Sequence, residues 1–313
     1  MFYDFFRKFR NVSADSLTLS LFQLLDQTQF QMRIFIYISL LFFTSVFTSV
    51  LIAQDHSIMS YNIRYGTAND GPDHWDHRKE SLTNEIAFYE PDFVGVQEAL
   101  DFQMEYLKEN LPQYTYIGVG RDDGKTKGEY SGIFYHTERV KLLDEGTFWL
   151  SETPDEVSKG WDAALPRICT YGHFKYKKRP RKNIWVFNTH FDHRGHEARE
   201  KSVELIVEKA KKLSNEKEAI LISGDFNLGP ESTPIQNMKK HFHDSYETSE
   251  LPPFGHSLSF NGFKMNPERG QRIDYIFTNE KVKVKKIGIL STLIDGHYNS
   301  DHFPVLMYFD MAK

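Results

Sequence analysis

The chain has 313 residues, 40% of them hydrophobic and 15% aromatic, which is ample for a substantial buried core. Its net charge of −5 becomes −6 when residues 1–53 are set aside, because Arg7, Lys8, Arg10 and Arg33 leave with Asp4, Asp15 and Asp26; this acidity does not suit a protein that grips long nucleic acid through many phosphates. The single cysteine, Cys169, excludes an intramolecular disulfide and reads as a small buried hydrophobe in a strand rather than a nucleophile.

In chain order, residues 1–31 carry no convincing fold signal and read as an over-extended gene start or a short cytoplasmic tail. Arg33 then precedes Ile34–Ala53, twenty positions without a charge. This run reads as the core of a signal peptide that starts at Met32 and is cut near Ala53, although Leu51 is large for the −3 position. An uncleaved membrane anchor over residues 34–53 is the alternative. No second long apolar run follows, which excludes a multi-span protein. The expected organisation is therefore 1–31 extension, 32–53 signal or anchor, and 54–313 one exported domain.

Within that domain the pattern predicts helices over His77–Tyr89, with Leu82, Ile86 and Tyr89 on one face, and over Glu197–Leu213, with Val203, Ile206, Ala210 and Leu213 inward. Strands are expected at Ile58–Asn62, Asp92–Glu98, Tyr114–Val119, Tyr130–Tyr135, Lys141–Leu150, Arg167–Tyr176, Ile184–His190, Ala219–Gly224, Ile273–Thr278, Val282–Ile289 and Phe303–Phe309. No repeat or long linker divides them, so the expectation is one α/β domain with two packed sheets and helices outside. The basic run from Lys175 to Lys182 joins two strands and reads as a solvated hairpin tip rather than an anion-binding patch.

The strands end in a recurrent chemistry. Asn62 and Arg64 stand at i, i+2, as do Asp225 and Asn227, and on extended backbone that spacing puts both side chains on one side. Glu98 ends another apolar run, Asn188, His190 and Asp192 end a third, and Asp274, Asp301 and His302 follow near the C-terminus. Each alone could cap a turn, face solvent or sit satisfied in the core. Together they imply convergence on one place, where carboxylates would raise one another's pKa unless a cation neutralised them. Oxygen ligands without a cysteine or histidine cage suit a hard ion: Mg²⁺ or Mn²⁺, with Ca²⁺ also compatible.

The ordered set Tyr-Asn-Ile-Arg (61–64), Gln-Glu (97–98), Asn-Thr-His (188–190), Gly-Asp-Phe-Asn (224–227), Arg-Ile-Asp-Tyr-Ile-Phe (272–277) and Ser-Asp-His (300–302) resembles the endonuclease/exonuclease/phosphatase superfamily, of the DNase I-like kind. The likeness runs from about Ser57 to Phe309 and is specific for the superfamily but not for substrate. Other stretches resemble a bacterial branch related to deadenylase-type exonucleases. The resemblance implies a four-layer α/β/β/α sandwich with two mixed sheets and a site at one edge. It implies a metal held by Glu98 with Asn62 and Asp301 nearby, directly or through water. Asp225 would position or deprotonate a water, and Asn227 would hold that water or a phosphate oxygen. His302, oriented by Asp274, would contact the phosphate. His190, partnered by Glu129, would stand near the leaving group. Arg64 takes the place of an acidic residue found in apurinic endonucleases, which favours one principal metal.

Further residues stand where they could border the substrate. Trp75 reads equally as loop packing, and Arg78, Arg167 and Arg199 equally as salt-bridge partners; Asp192 joins this group. The implied activity is divalent-metal-dependent phosphoester hydrolysis by a monomer acting on a small molecule rather than nucleic acid. A secreted nuclease, including a 3′–5′ exonuclease, is the alternative. A non-catalytic module is disfavoured because every expected position holds the expected residue type. Nothing separates sugar, lipid, inositol and nucleotide phosphates.

Overall fold

The computed structural model describes residues 14–48, 56–178, 182–214, 217–265, 267 and 270–311. They form two units, Met1–Gln54 and Asp55–Lys313. The first contains helix α1, Ala14–Thr48. Helix over residues 14–31 corrects the expectation of no fold signal there. Apolar residues stand all around this helix, so the one-sided periodicity that marks other helices is missing; its leucines and glutamines favour helix, and neither glycine nor proline interrupts it. Leu24, Phe30 and Phe35 are exposed. Among the described residues no helix is long and apolar enough to cross a membrane. The expected cut between Ala53 and Gln54 lies outside the described residues.

The second unit contains β1 (His56–Asn62), α2 (Trp75–Tyr89), β2 (Phe93–Ala99), α3 (Asp101–Asn110), β3 (Tyr114–Ile117), β4 (Tyr130–His136), β5 (Val140–Trp149), β6 (Ile168–Tyr176) and β7 (Asn183–His190). There follow α4 (His196–Ser214), β8 (Ala219–Asp225), α5 (Thr233–Lys239), β9 (His243–Asp244), α6 (Ser245–Thr248), β10 (Phe254–Gly255), β11 (Asp274–Thr278), β12 (Val282–Ile289), the β13–β14 hairpin (Leu293–Ile294 and His297–Tyr298) and β15 (Val305–Met311). The strands build a mixed sheet in the order β10-β12-β15-β1-β2-β4-β3 and a second in the order β5-β6-β7-β8-β11-β9.

Side-chain alternation produces the layers. In β1, Ile58 enters the core between the sheets with Phe93, Phe174 and Met307, whereas Met59 and Tyr61 face Leu82, Ile86 and Met104 of α2 and α3. In β8, Leu221 joins the inter-sheet core, and Ile220 and Ile222 pack with Ile206, Ala210 and Met238 of α4 and α5. The result is the expected α/β/β/α sandwich. Strands β1 and β8 are buried throughout, which is why they read as nearly continuous apolar runs.

Two expected helices are present within two residues of their boundaries. The pattern did not mark α3: it is short and strongly charged, with Asp101 in its first turn and Lys108 in its last. The basic run joins β6 and β7 as expected, but residues 179–181 lie outside the described ones.

Register positions the site. β1 runs parallel to β2 and sets Asn62 beside Gln97. β7 runs parallel to β8 and sets His190 beside Asp225. The antiparallel pairing of β11 with β8 then sets Asp274 opposite Asp225. The ends of β1, β7, β8 and β11 therefore deliver polar side chains to one edge.

Candidate active site

Asn62, fully buried, is the hub. Its Nδ2 donates to Glu98 Oε1 at 3.1 Å and Asp225 Oδ2 at 3.0 Å. Its Oδ1 accepts from the Arg64 backbone at 3.0 Å. The amide thus turns its nitrogen toward both carboxylates and links Glu98 to Asp225, at the position expected to border the metal directly or through water.

The backbone is bent to make this possible. Arg64, Glu98 and Asn227 have φ of 57°, 61° and 52°, a region non-glycine residues rarely occupy. Such conformations concentrate at functional sites, where surrounding contacts hold them. Gln103 of α3 supplies part of that support, accepting from the backbone of Gly66 at 2.7 Å and donating to Arg64 O at 3.0 Å. Gly224, with φ of 155°, passes so close to β7 that a Cβ would lie 2.2 Å from Thr189 O.

Two imidazoles flank Asp225 Oδ2, with His190 Nε2 at 3.5 Å and His302 Nε2 at 3.7 Å. His302 Nδ1 is 2.9 Å from Asp274 Oδ2, the orienting pair that was expected. Burial opposes charge on His302, but the Asp274 and Asp225 carboxylates outweigh it and hold the ring well above its ordinary pKa. His190 is pushed the other way, by burial and then by Arg167 and Arg121. Its Nε2 lies 3.0 Å from the Asn227 amide nitrogen, consistent with a neutral ring accepting there. One carboxylate thus stands between a charged imidazole and a neutral one, the arrangement that divides acid from base roles.

Burial, followed by Asp274, raises the Asp225 carboxyl above its ordinary value. Asp301 is raised first by burial, with Glu98 adding to it. Glu98, Asp225 and His302 each offer a ligand atom, all within 4.8 Å of one another. Because ligands must be deprotonated, the two carboxylates fit a hard cation, while His302, held charged, fits an anionic oxygen. Asp301 is not in that group; it lies 3.7 Å from Arg64 Nε and accepts from Ser300 Oγ at 3.4 Å.

Several expected substrate contacts turn inward instead. Trp75 is 3% exposed and packs edge-on to Tyr106, so its loop-packing reading holds. Arg78, 4% exposed, donates to four backbone carbonyls, those of Asp73, Ile63, Asn299 and Arg64, and clamps the end of β1. Asp192 accepts from the backbone of Arg194 and Gly195. Burial opposes its ionisation, but the Gly195 and Arg194 N–H groups outweigh it and hold the carboxyl well below the usual range. Arg199 reaches the Asn227 carbonyl at 3.5 Å from behind. Trp75, Arg78 and Arg199 thus show the packing and internal bonding that the sequence left equally open, Asp192 binds backbone amides, and residue type alone could not decide between these roles.

Arg64 stays at the site but is tied to Asp70 by contacts of 3.0 and 3.1 Å. Arg167 stands beside His190, pairs through Nε with Asp192 Oδ2 at 3.5 Å and holds its NH2 3.1 Å from His193 Nδ1; among the described residues its buried NH1 has no hydrogen-bond partner. Glu129 immediately precedes β4, as expected, with Oε2 3.9 Å from His190 Nδ1, and it also forms a two-pronged pair with Arg121 at 2.6 and 2.8 Å. The sequence reading missed Arg121, which sits in a loop without periodicity. It also missed Phe260, 43% exposed, whose ring lies 5.0 Å from that of His302.

The chain has relatives among known proteins. A mannosyl-6-phosphatase of Bacteroides thetaiotaomicron shares 38% identity and a TM-score of 0.79, over 82% of this chain and 100% of that one. An uncharacterized protein of Acanthamoeba polyphaga mimivirus is 28% identical over 254 residues, 75% of this chain and 92% of its own. Protein angel of Drosophila melanogaster is 26% identical over 171 residues, 52% of this chain and 46% of its own. The model of the Endonuclease/Exonuclease/phosphatase family matches residues 59–302, from β1 to His302, and the chain belongs to that family.

Proposed function

We propose that this protein is a divalent-metal-dependent phosphoester hydrolase whose preferred substrate is the phosphomonoester of a sugar. One observation carries the reading: Glu98, Asp225 and His302 converge within 4.8 Å, two carboxylates opposite an imidazole held charged by Asp274. The sugar phosphate is favoured by the likeness to a mannosyl-6-phosphatase at 38% identity. Net acidity favours a small substrate over a polymer of phosphates.

Asp225, buried at the end of β8 and held by Asn62 Nδ2 at 3.0 Å, is placed to accept the proton of the attacking water. His302 donates to a phosphoryl oxygen, with Asp274 keeping the ring charged and oriented. Asn62 holds Glu98 and Asp225 in place with a single amide. Neutral His190, fixed by Asn227, stands ready at the leaving-group side. A divalent ion held by Glu98 and Asp225 supplies charge neutralisation for the phosphoryl oxygens when bound. The protein acts as an exported monomer, a reading that rests on the uncharged run at 34–53.

The test is a panel with Mg²⁺, Mn²⁺, Ca²⁺ or EDTA, containing mannose 6-phosphate, p-nitrophenyl phosphate, bis-p-nitrophenyl phosphate, and single-stranded RNA and DNA. Sugar phosphate turned over fastest, and none in EDTA, is the expected outcome. Undiminished activity in chelator defeats the metal reading. RNA preferred by orders of magnitude replaces the phosphatase with a nuclease.

A further inference from the structure

A groove of about 470 Å³, the size of an ordinary small-molecule site, opens beside the catalytic edge and takes no part in the chemistry described above. One rim comes from the start of α2 and the turn before it, with Asp73 and His77; the other comes from the β13–β14 hairpin, with Ile294, Asp295, His297 and Tyr298. The back wall contains Arg78 and Asn299. Arg78 bonds Ile63 O at 2.7 Å, Arg64 O at 3.2 Å and Asn299 O at 3.0 Å, and Asn299 directly precedes Ser300, Asp301 and His302. The groove and the phosphoryl site therefore share a wall.

Its lining has a definite chemistry. Asp73 and Asp295 bring carboxylates, His77 and His297 bring imidazoles, and Ile294 and Tyr298 bring apolar surface. The side chains of His77 and Asp295 form no hydrogen bond within the described residues. Ser81 Oγ also lines the groove, is withdrawn from solvent and has no partner. Two carboxylates repel a polyanion, so nucleic acid and a second phosphate are poor occupants. Hydroxyl groups suit carboxylate acceptors and imidazoles that both donate and accept, and the C–H face of a pyranose suits Tyr298 and Ile294. The rims are fixed before any ligand arrives, because His297 Nδ1 meets Asp73 Oδ1 at 2.8 Å across the groove. A rigid site costs less ordering on binding.

We propose that this groove binds a neutral carbohydrate: the glycosyl residue attached to the phosphorylated sugar, so that the substrate is the phosphorylated end of a glycan rather than a free sugar phosphate. The inference rests on the sugar-phosphatase reading above, and it extends that reading to the part of the substrate that does not react.

The test compares mannose 6-phosphate with a mannobiose phosphorylated on its terminal residue, using wild type and the double variant Asp295→Gly/His297→Ala. Glycine suits the φ of 50° at Asp295, and both residues are exposed, so the fold is retained. Wild type should favour the disaccharide in kcat/KM by about tenfold, the scale of one or two polar contacts, and the variant should lose that preference through KM alone. Equal loss on both substrates, or no preference in wild type, overturns the groove assignment. Calorimetric titration of unphosphorylated mannobiose into Asp225→Asn protein separates the two readings. Binding without turnover of any sugar phosphate overturns the phosphatase reading and keeps the groove. Turnover of mannose 6-phosphate without glycan binding overturns the groove and keeps the phosphatase.

Discussion

Where β1 and β2 begin, a buried carboxylate is surrounded by donors. Asp92 accepts from the Ser57 backbone at 3.2 Å and Tyr176 Oη at 2.9 Å, and Arg139 stands 3.3 Å away. Where β1 and β8 end, buried Asp225 has the Asn62 amide, the Asn227 backbone and two imidazoles beyond 3.4 Å, with Asp274 opposite. The residue types are nearly the same, carboxylates with histidine and arginine at strand ends. The first end uses them to close the sandwich. The second concentrates carboxylates that burial and mutual repulsion push toward the protonated form. A buried carboxylate with matched donors is structural, and one left short of them is poised to take a cation or a proton.

The largest expected effect is on turnover. Asp225→Asn should lower kcat by about 10² to 10⁴, the range for a positioned general base. Adding His302→Ala should cost less than the product of the single losses, since both act on one phosphoryl group. Asp225→Asn should melt no lower than wild type in EDTA, because it removes a carboxylate that the fold disfavours. Near-normal turnover by folded Asp225→Asn protein would break the comparison at its functional end.

The opposite end should behave in reverse. Asp92→Ala leaves Arg139 and Tyr176 facing a vacated position, and breaking such a buried pair costs about 3 kcal/mol. Urea denaturation should show this loss, while kcat on the best substrate stays unchanged. A stable variant with impaired turnover would mean that the two ends are not separate in role.

The pH dependence of stability sharpens the contrast. Asp225, Asp301 and Glu129 are all raised, with burial the largest cause, so the folded protein keeps protons that the unfolded chain releases near pH 4. Stability therefore falls as pH rises through that interval. His302 contributes in the same direction: its stabilisation is full below about pH 6.5 and fades as pH climbs through the raised folded value. His190 opposes, because the unfolded ring binds a proton below about pH 6.5 that the fold rejects. Below about pH 6.5 Asp225 and His190 oppose each other, and above it Asp225, raised to about 7, and His302 act together, so the melting temperature in EDTA should decline from about pH 6.5 to 8. Asp225→Asn should flatten the decline, as should added Mg²⁺, and Asp92→Ala should keep it. A melting temperature that climbs steadily across this range would contradict the electrostatic picture.

The same contrast explains what the sequence could disclose. Strands such as β1 and β8 are buried on both faces, so their apolar runs are unmistakable, and a polar residue at the end of such a run stands out. Asn62, Glu98, His190, Asp225, Asp274 and His302 were legible for that reason. Helix α1 was not, because it has no single apolar face, and α3 was not, because it is short and charged. The role of Arg78 stayed open because a guanidinium that serves four backbone carbonyls has the same letter as one that serves a substrate. The Glu129–Arg121 pair depends on a loop whose path no periodicity encodes.

Phe260 provides the smallest and most selective effect. Its ring is 43% exposed while the backbone on both sides of it is hydrogen-bonded to the site segment. Phe260 bridges to His302, Asn261 N donates to Asp301 O at 2.8 Å, and Phe303 N donates to Ser259 O at 2.7 Å. The ring cannot drift from His302, so its exposure is fixed at the mouth of the site. An aromatic face there offers stacking area to whatever ring the phosphate is attached to. Such contacts contribute about 0.5–1.5 kcal/mol, a factor of roughly 2 to 12 in affinity. Phe260→Ala should raise KM for a sugar phosphate or p-nitrophenyl phosphate by that factor and leave kcat nearly unchanged, while Phe260→Trp should restore it. For methyl phosphate, which has no ring to stack, KM should not move. An equal rise on methyl phosphate would show that Phe260 acts by holding His302 in place, and the mouth of the site would then belong with the structural end of the comparison.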